Sequence, residues 1–66
     1  MVRLKLDTLL AEKQMSRYTL SKISGVQYLV VDNYYKNKVI RYDSLVLDRL
    51  CEALGCDIAD LIERVK

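Results

Sequence analysis

The chain has 66 residues, about half of them hydrophobic, no proline and a formal net charge of +2. That length supports one small core, so a single domain over residues 1–66 is expected, folded rather than disordered and without a separate catalytic or ligand-sensing unit. The charge is unevenly spread: residues 1–41 hold Arg3, Lys5, Lys13, Arg17, Lys22, Lys36, Lys38 and Arg41 against Asp7, Glu12 and Asp32, net +5, whereas residues 42–66 are net −3, which suits a protein that sets one basic face on a polyanion.

Val2-Arg3-Leu4-Lys5-Leu6 alternates apolar and basic residues, a strand-like period. Val39-Ile40-Arg41-Tyr42 is rich in β-branched residues too. One expectation is a short pairing of these two segments, within one chain or across a dimer. The other is that Leu4 and Leu6 begin the first helix. Leu6 to Lys13 reads as that helix, with Leu6, Leu9 and Leu10 on one face. Gln14-Met15 connects it onward, Met15 tucked toward the core. Ser16 suits the N-cap of a second helix, whose apolar stripe is Leu20 and Ile23 and whose end is Gly25, a residue free to take positive φ.

A third helix follows from about Gln27 to Lys36. Val31, Tyr34 and Tyr35 face inward at i, i+3 and i+4, leaving Gln27, Tyr28, Leu29, Asp32, Asn33 and Lys36 on the outer surface. Its β-branched and aromatic residues are mediocre helix formers, so packing must hold it. Asn37 fits a left-handed terminus and Lys38 to Tyr42 a loop. Asp43 caps a fourth helix with core face Leu47, Leu50, Cys51 and Leu54, stopped by Gly55. Asp57 caps a fifth, expected to bury Ile58, Leu61 and Ile62.

Several function classes fall away. With no histidine, no glycine-rich phosphate loop and no paired carboxylates in a pocket, no catalytic constellation presents itself, so an enzyme is not expected. Cys51 and Cys56 lack further ligands at metal-like spacing; they read as small buried hydrophobes of a reducing compartment, and no metal or other cofactor is expected. Neither a leader peptide nor a membrane span is legible, nor a small-molecule ligand site, so a cytoplasmic chain with no membrane partner is expected.

Two short helices joined by a tight glycine-containing turn place the second in a DNA major groove. The segments Met15-Ser16-Arg17-Tyr18-Thr19-Leu20-Ser21-Lys22-Ile23-Ser24-Gly25-Val26, Asn37-Lys38, and Leu50-Cys51-Glu52-Ala53-Leu54-Gly55-Cys56-Asp57-Ile58-Ala59-Asp60-Leu61 carry a resemblance over essentially the whole chain. In this order and spacing the sequence resembles the Cro/CI-type helix-turn-helix domains of phage repressors and small bacterial regulators. The resemblance implies an all-α fold of five short helices, a lambda-repressor-like DNA-binding domain with a central helix-turn-helix. It also implies a double-stranded operator as partner, commonly bound by a homodimer, and regulation of transcription.

Two departures from the family pattern matter. Many members pair an Arg of the first helix with a Glu near the end of the third; here those positions hold Leu10 and Tyr35. Both charges are gone, so neither is stranded in the interior, and Leu10 is expected to pack on Tyr35. The second departure falls where many members carry Gln, Ser or Thr base readers and this chain has Tyr28, Leu29 and Val30. Base contact is therefore expected from Gln27, Tyr28 and Asn33, with Leu29 and Val30 against thymine methyls. Phosphate contact is expected from Ser16, Arg17, Lys36, Lys38 and Arg41, with backbone amides at the starts of the second and fourth helices. Asp32 would repel phosphate unless it turns away or accepts from a cytosine amine. The competing reading is a protein-interaction module, an anti-repressor or adaptor, using the Leu29/Val30 face.

Overall fold

The ten residues withdrawn from water are all leucine, valine or tyrosine, and every helix contributes at least one. They come together in a computed structural model that describes residues 1–66. The elements run β1 (Val2–Leu4), α1 (Leu6–Glu12), α2 (Arg17–Ser24), α3 (Tyr28–Tyr35), α4 (Ser44–Leu54), α5 (Ile58–Leu61) and β2 (Ile62–Arg64). Leu20, Val31, Leu50 and Leu61 are fully enclosed at the meeting of α2, α3, α4 and α5, with Leu4 and Leu6 closing the core from the N-terminal side.

Helix ends are where the local sequence acts most visibly. Ser16 caps α2, its Oγ accepting from the Thr19 amide at 3.1 Å, and Asp43 caps α4, accepting from the amides of Leu45 and Val46. At the C-terminal ends, α1, α3 and α4 all close in the same way. A residue at positive φ (Gln14 at 52°, Asn37 at 57°, Gly55 at 64°) turns the chain so that two amides return to the last carbonyls of the helix. In α4 these are Cys56 to the Cys51 carbonyl at 3.0 Å and Gly55 to that of Glu52 at 3.3 Å. Apolar residues normally meet across such a closure, and here Cys51 and Cys56 are the pair. Burial, then the neighbouring Cys56 and the acids Asp48 and Asp57, push the Cys51 thiol up to about 11, so it stays protonated at neutral pH.

Gln14 is the costly member of this set, because a side chain disfavours left-handed backbone. Gln14→Gly is expected to stabilise the fold by about 0.5–1 kcal/mol, the relieved strain less the entropy glycine adds to the unfolded chain. A urea midpoint at or below that of the parent would refute this.

The strand-like N-terminus is a strand, but its partner is not Val39–Tyr42. β1 pairs antiparallel with β2, Val2 opposite Arg64, Arg3 opposite Glu63 and Leu4 opposite Ile62. Residues 38–42 form no strand. The reason lies at Leu4, whose outward-facing amide and carbonyl are already taken by one side chain. Leu4 N–H donates to Asn37 Oδ1 at 2.7 Å, and Asn37 Nδ2 donates to the Leu4 carbonyl at 3.1 Å. The edge where Val39–Tyr42 could have added is thereby closed.

Three burial expectations are also corrected. Ile23 is 53% exposed: the inward stripe of α2 runs Arg17, Leu20, Ser21, Ser24, and Ile23 lies about 100° around the helix from its centre. Ile58 is 49% exposed because α5 is a single turn that sends only Leu61 inward. Ile62, half-buried, belongs to β2 rather than to a longer fifth helix. No helix is long and apolar enough to cross a membrane.

Candidate nucleic-acid interface

The turn between α2 and α3 is built from hydroxyl groups around one glycine. Gly25 at φ 74° returns its amide to the Ser21 carbonyl at 3.1 Å, ending α2. Ser21 Oγ then donates to the Val26 carbonyl at 2.6 Å, and Val26 N–H donates to Ser24 Oγ at 3.2 Å. With Val26 buried, the turn is anchored by both polar and apolar contacts, and α3 leaves it in a fixed direction.

Val31 and Tyr34 fasten the inner side of α3. Gln27, Tyr28, Leu29 and Asn33 stand on the open side, Leu29 being 73% exposed. Val30 does not join them. It is half-buried against the core, because its neighbour one turn on is the buried Tyr34. The open face of α3 is therefore narrower than the sequence suggests, and more polar.

Beside α3, the loop carrying Lys38 and Arg41 is pinned at both ends. Asn37 ties its start to β1, and the Tyr34 hydroxyl accepts from the Asp43 amide at 3.0 Å at its end, with Tyr42 edge-on to Tyr34 at 5.9 Å. Lys38 and Arg41 are exposed along it, and Ile40 between them is 92% exposed. Neither cation is engaged by an acidic side chain.

Arg17 and Lys36 are in a different state. Asp32, half-buried rather than on the outer surface, holds both: Oδ1 meets Arg17 Nη1 at 2.5 Å and Oδ2 meets Lys36 Nζ at 3.0 Å. The Arg17 guanidinium also lies over the Tyr35 ring, 4.7 Å from its centroid. The hydrogen bond from Lys36, followed by the charges of Lys36 and Arg17, outweighs desolvation and holds the Asp32 carboxyl below its usual 3.8. Such a group stabilises the fold above its unfolded pKa, and the contribution is lost as pH falls through the lower folded value. The parent chain is thus expected to lose more thermal stability than Asp32→Asn between about pH 5 and about pH 2; parallel losses in the two proteins would reject this.

The two helix starts named as phosphate sites also differ. At α2 the neutral Ser16 cap takes only the Thr19 amide, leaving the first amides of the helix facing outward. At α4 the capping group is the Asp43 carboxylate, which occupies the Leu45 and Val46 amides with a negative charge. Only the first favours an anion. Leu10, buried, and Tyr35, half-buried, line one shallow depression together with Met15 and Arg17, so the place of the family's charge pair is filled by apolar groups.

Some of this was legible and some was not. Asp32 and Lys36 stand at i, i+4, a readable pairing. The Arg17–Asp32 contact and the Asn37 amide on Leu4 span 15 and 33 residues and carry no local signal.

The model of the Cro/C1-type HTH DNA-binding domain matches residues 5–66. Curated proteins give no match. Among solved structures, the chain is similar to that of a candidate DNA-binding protein from Bacteroides fragilis, with 25% sequence identity and a TM-score of 0.81, covering 96% of this chain and 100% of that one. With a family match spanning nearly every residue and a turn, caps and core that account for it, the chain belongs to the Cro/C1-type helix-turn-helix DNA-binding domain family.

Proposed function

We propose that the protein binds double-stranded DNA with sequence preference and acts as a small transcriptional regulator, with α3 and its flanking residues, about 27–36, in the major groove. What carries the proposal is the open face of α3, with Gln27, Tyr28, Leu29 and Asn33 exposed beside a loop whose two cations are unengaged. Gln27 and Asn33 have the donor–acceptor pair that suits adenine N6 and N7, and Leu29 suits a thymine methyl. Lys38, Arg41 and the first amides of α2 around Ser16 supply phosphate contacts. Lys36, whose side chain is the most exposed of the three charged groups in the Asp32 cluster, joins them by swinging outward.

One short reading helix gives little discrimination, so two copies are proposed to act together on a two-fold site, their α3 helices about 34 Å apart. Ile40, Val39 and Tyr42, with Ile62–Val65, are the apolar surface offered for that contact. The test is selection of duplexes from a random pool, followed by footprinting on the DNA flanking the protein's own gene. A protected two-fold site supports the proposal, and no retained duplex at low ionic strength defeats it. The exposure of Leu29 also favours a second reading, a protein-interaction module. Partner binding abolished by Leu29→Asp but indifferent to Lys38→Ala would select it.

A further inference from the structure

We infer that Arg17 is a positioning residue: with Asp32 and Tyr35 it pins the angle at which α3 is presented, and it is not one of the phosphate ligands. The inference rests on the DNA-binding proposal above and deepens it. Arg17 is the first residue of α2, while Asp32 and Tyr35 lie three apart in the second half of α3. The two helices form a V whose apex is the Gly25 turn, so a contact between these positions spans the open end of the V. Apex and pin together fix the angle; the turn alone would leave it to side-chain packing.

The guanidinium is occupied on two sides. Its edge donates to Asp32 Oδ1 at 2.5 Å, and its face lies 4.7 Å from the Tyr35 ring centroid. A phosphate would have to draw it off both at once. That move would also leave Asp32, the least exposed of the three charged groups, with Lys36 as its sole counter-charge beside a polyanion. Lys36 meets Asp32 alone and has the most exposed side chain of the three charged groups, so it is the cation freer to turn to phosphate, with Arg17 remaining as the counter-charge of Asp32. The carboxylate thereby separates the two cations into one that holds the protein's shape and one that meets DNA.

Phosphate contact and positioning leave different signatures in salt. A side chain that neutralises one phosphate contributes about 0.9 to the slope of log affinity against log salt, equally for every sequence. A residue that aims α3 alters the preference for one sequence over another and leaves that slope alone. The experiment uses the duplex most enriched by the parent protein from a random pool, and a scrambled duplex of equal length, each titrated at several salt concentrations. Arg17→Gln and Tyr35→Leu are expected to lower the preference for the enriched duplex about tenfold, the scale of one misplaced base contact, with the slope unchanged. Tyr35→Phe keeps the ring and is expected to keep the preference. Circular dichroism identifies any variant that fails to fold, and the Tyr35 pair decides the matter if Arg17→Gln is such a variant. A slope reduced by about 0.9 in Arg17→Gln, or a preference unmoved by both Arg17→Gln and Tyr35→Leu, overturns the inference. Failure of the parent protein to enrich any duplex instead overturns the DNA-binding proposal itself.

Discussion

Asn37→Ala is expected to remove about 3–4 kcal/mol of folding free energy, the largest loss anticipated for any exposed residue of the chain. Two terms combine. The side-chain amide bridges the Leu4 amide and carbonyl at 2.7 and 3.1 Å, and Leu4 is fully buried, so truncation orphans a donor and an acceptor that water reaches poorly. The backbone at φ 57° adds about 1 kcal/mol, because asparagine tolerates the left-handed region better than alanine does. A chain of 66 residues holds only about 3–10 kcal/mol in total, so the variant is expected to lose from about a third of its stability to all of it. Asn37→Gly separates the terms: it keeps the backbone freedom, loses the bridge, and should recover about 1 kcal/mol. Urea midpoints of the three proteins provide the measurement. Equal midpoints for the parent and the alanine variant would mean that the bridge contributes nothing in solution.

The same residue shows why some of this molecule is readable from its sequence and some is not. That Asn37 would end α3 in a left-handed turn follows from its residue type and place, as do the caps at Ser16 and Asp43 and the stops at Gly25 and Gly55. These are contests among neighbours a few residues apart, and the winner is set by local chemistry. That the Asn37 side chain would close the edge of β1 depends on where a segment 33 residues away is delivered by the rest of the fold. The alternation of Val2 to Leu6 likewise marks a strand, realised over Val2–Leu4 before Leu6 opens α1, without naming its partner: period two fixes which side chains share a face, while pairing is decided by topology. Ile23 failed for a related reason, since spacing with Leu20 placed it on a plausible stripe but only the packing of α2 on α3 and α4 selects the stripe used. One helix's periodicity placed Gln27, Tyr28, Leu29, Asn33 and Lys36 on the open face of α3, but not the half-burial of Val30 and Asp32, which depends on what packs beside them. The capture of Arg17 by Asp32 was not legible either, because the two residues stand 15 apart on different helices.

The double variant Lys38→Gln, Arg41→Gln is expected to have the largest effect on DNA affinity with the least effect on the fold. Both side chains are exposed, neither has an acidic partner, and the loop that carries them is held by Asn37 and Tyr34 rather than by their charges. If each neutralises one phosphate, the slope of log affinity against log salt should flatten by about 1.8. At about 0.15 M salt each released counterion is worth about fivefold, so affinity should fall about 30-fold. The loss should be the same for the enriched duplex and for a scrambled one, because phosphates carry no sequence. That uniformity separates these residues from Asn33, whose replacement by alanine should weaken the enriched duplex alone. Titration of both duplexes over a salt series, with thermal denaturation as a control on folding, reads all of these quantities together. A slope unchanged by the double substitution would place the backbone of bound DNA elsewhere on the protein, and α3 could then no longer be its reading helix.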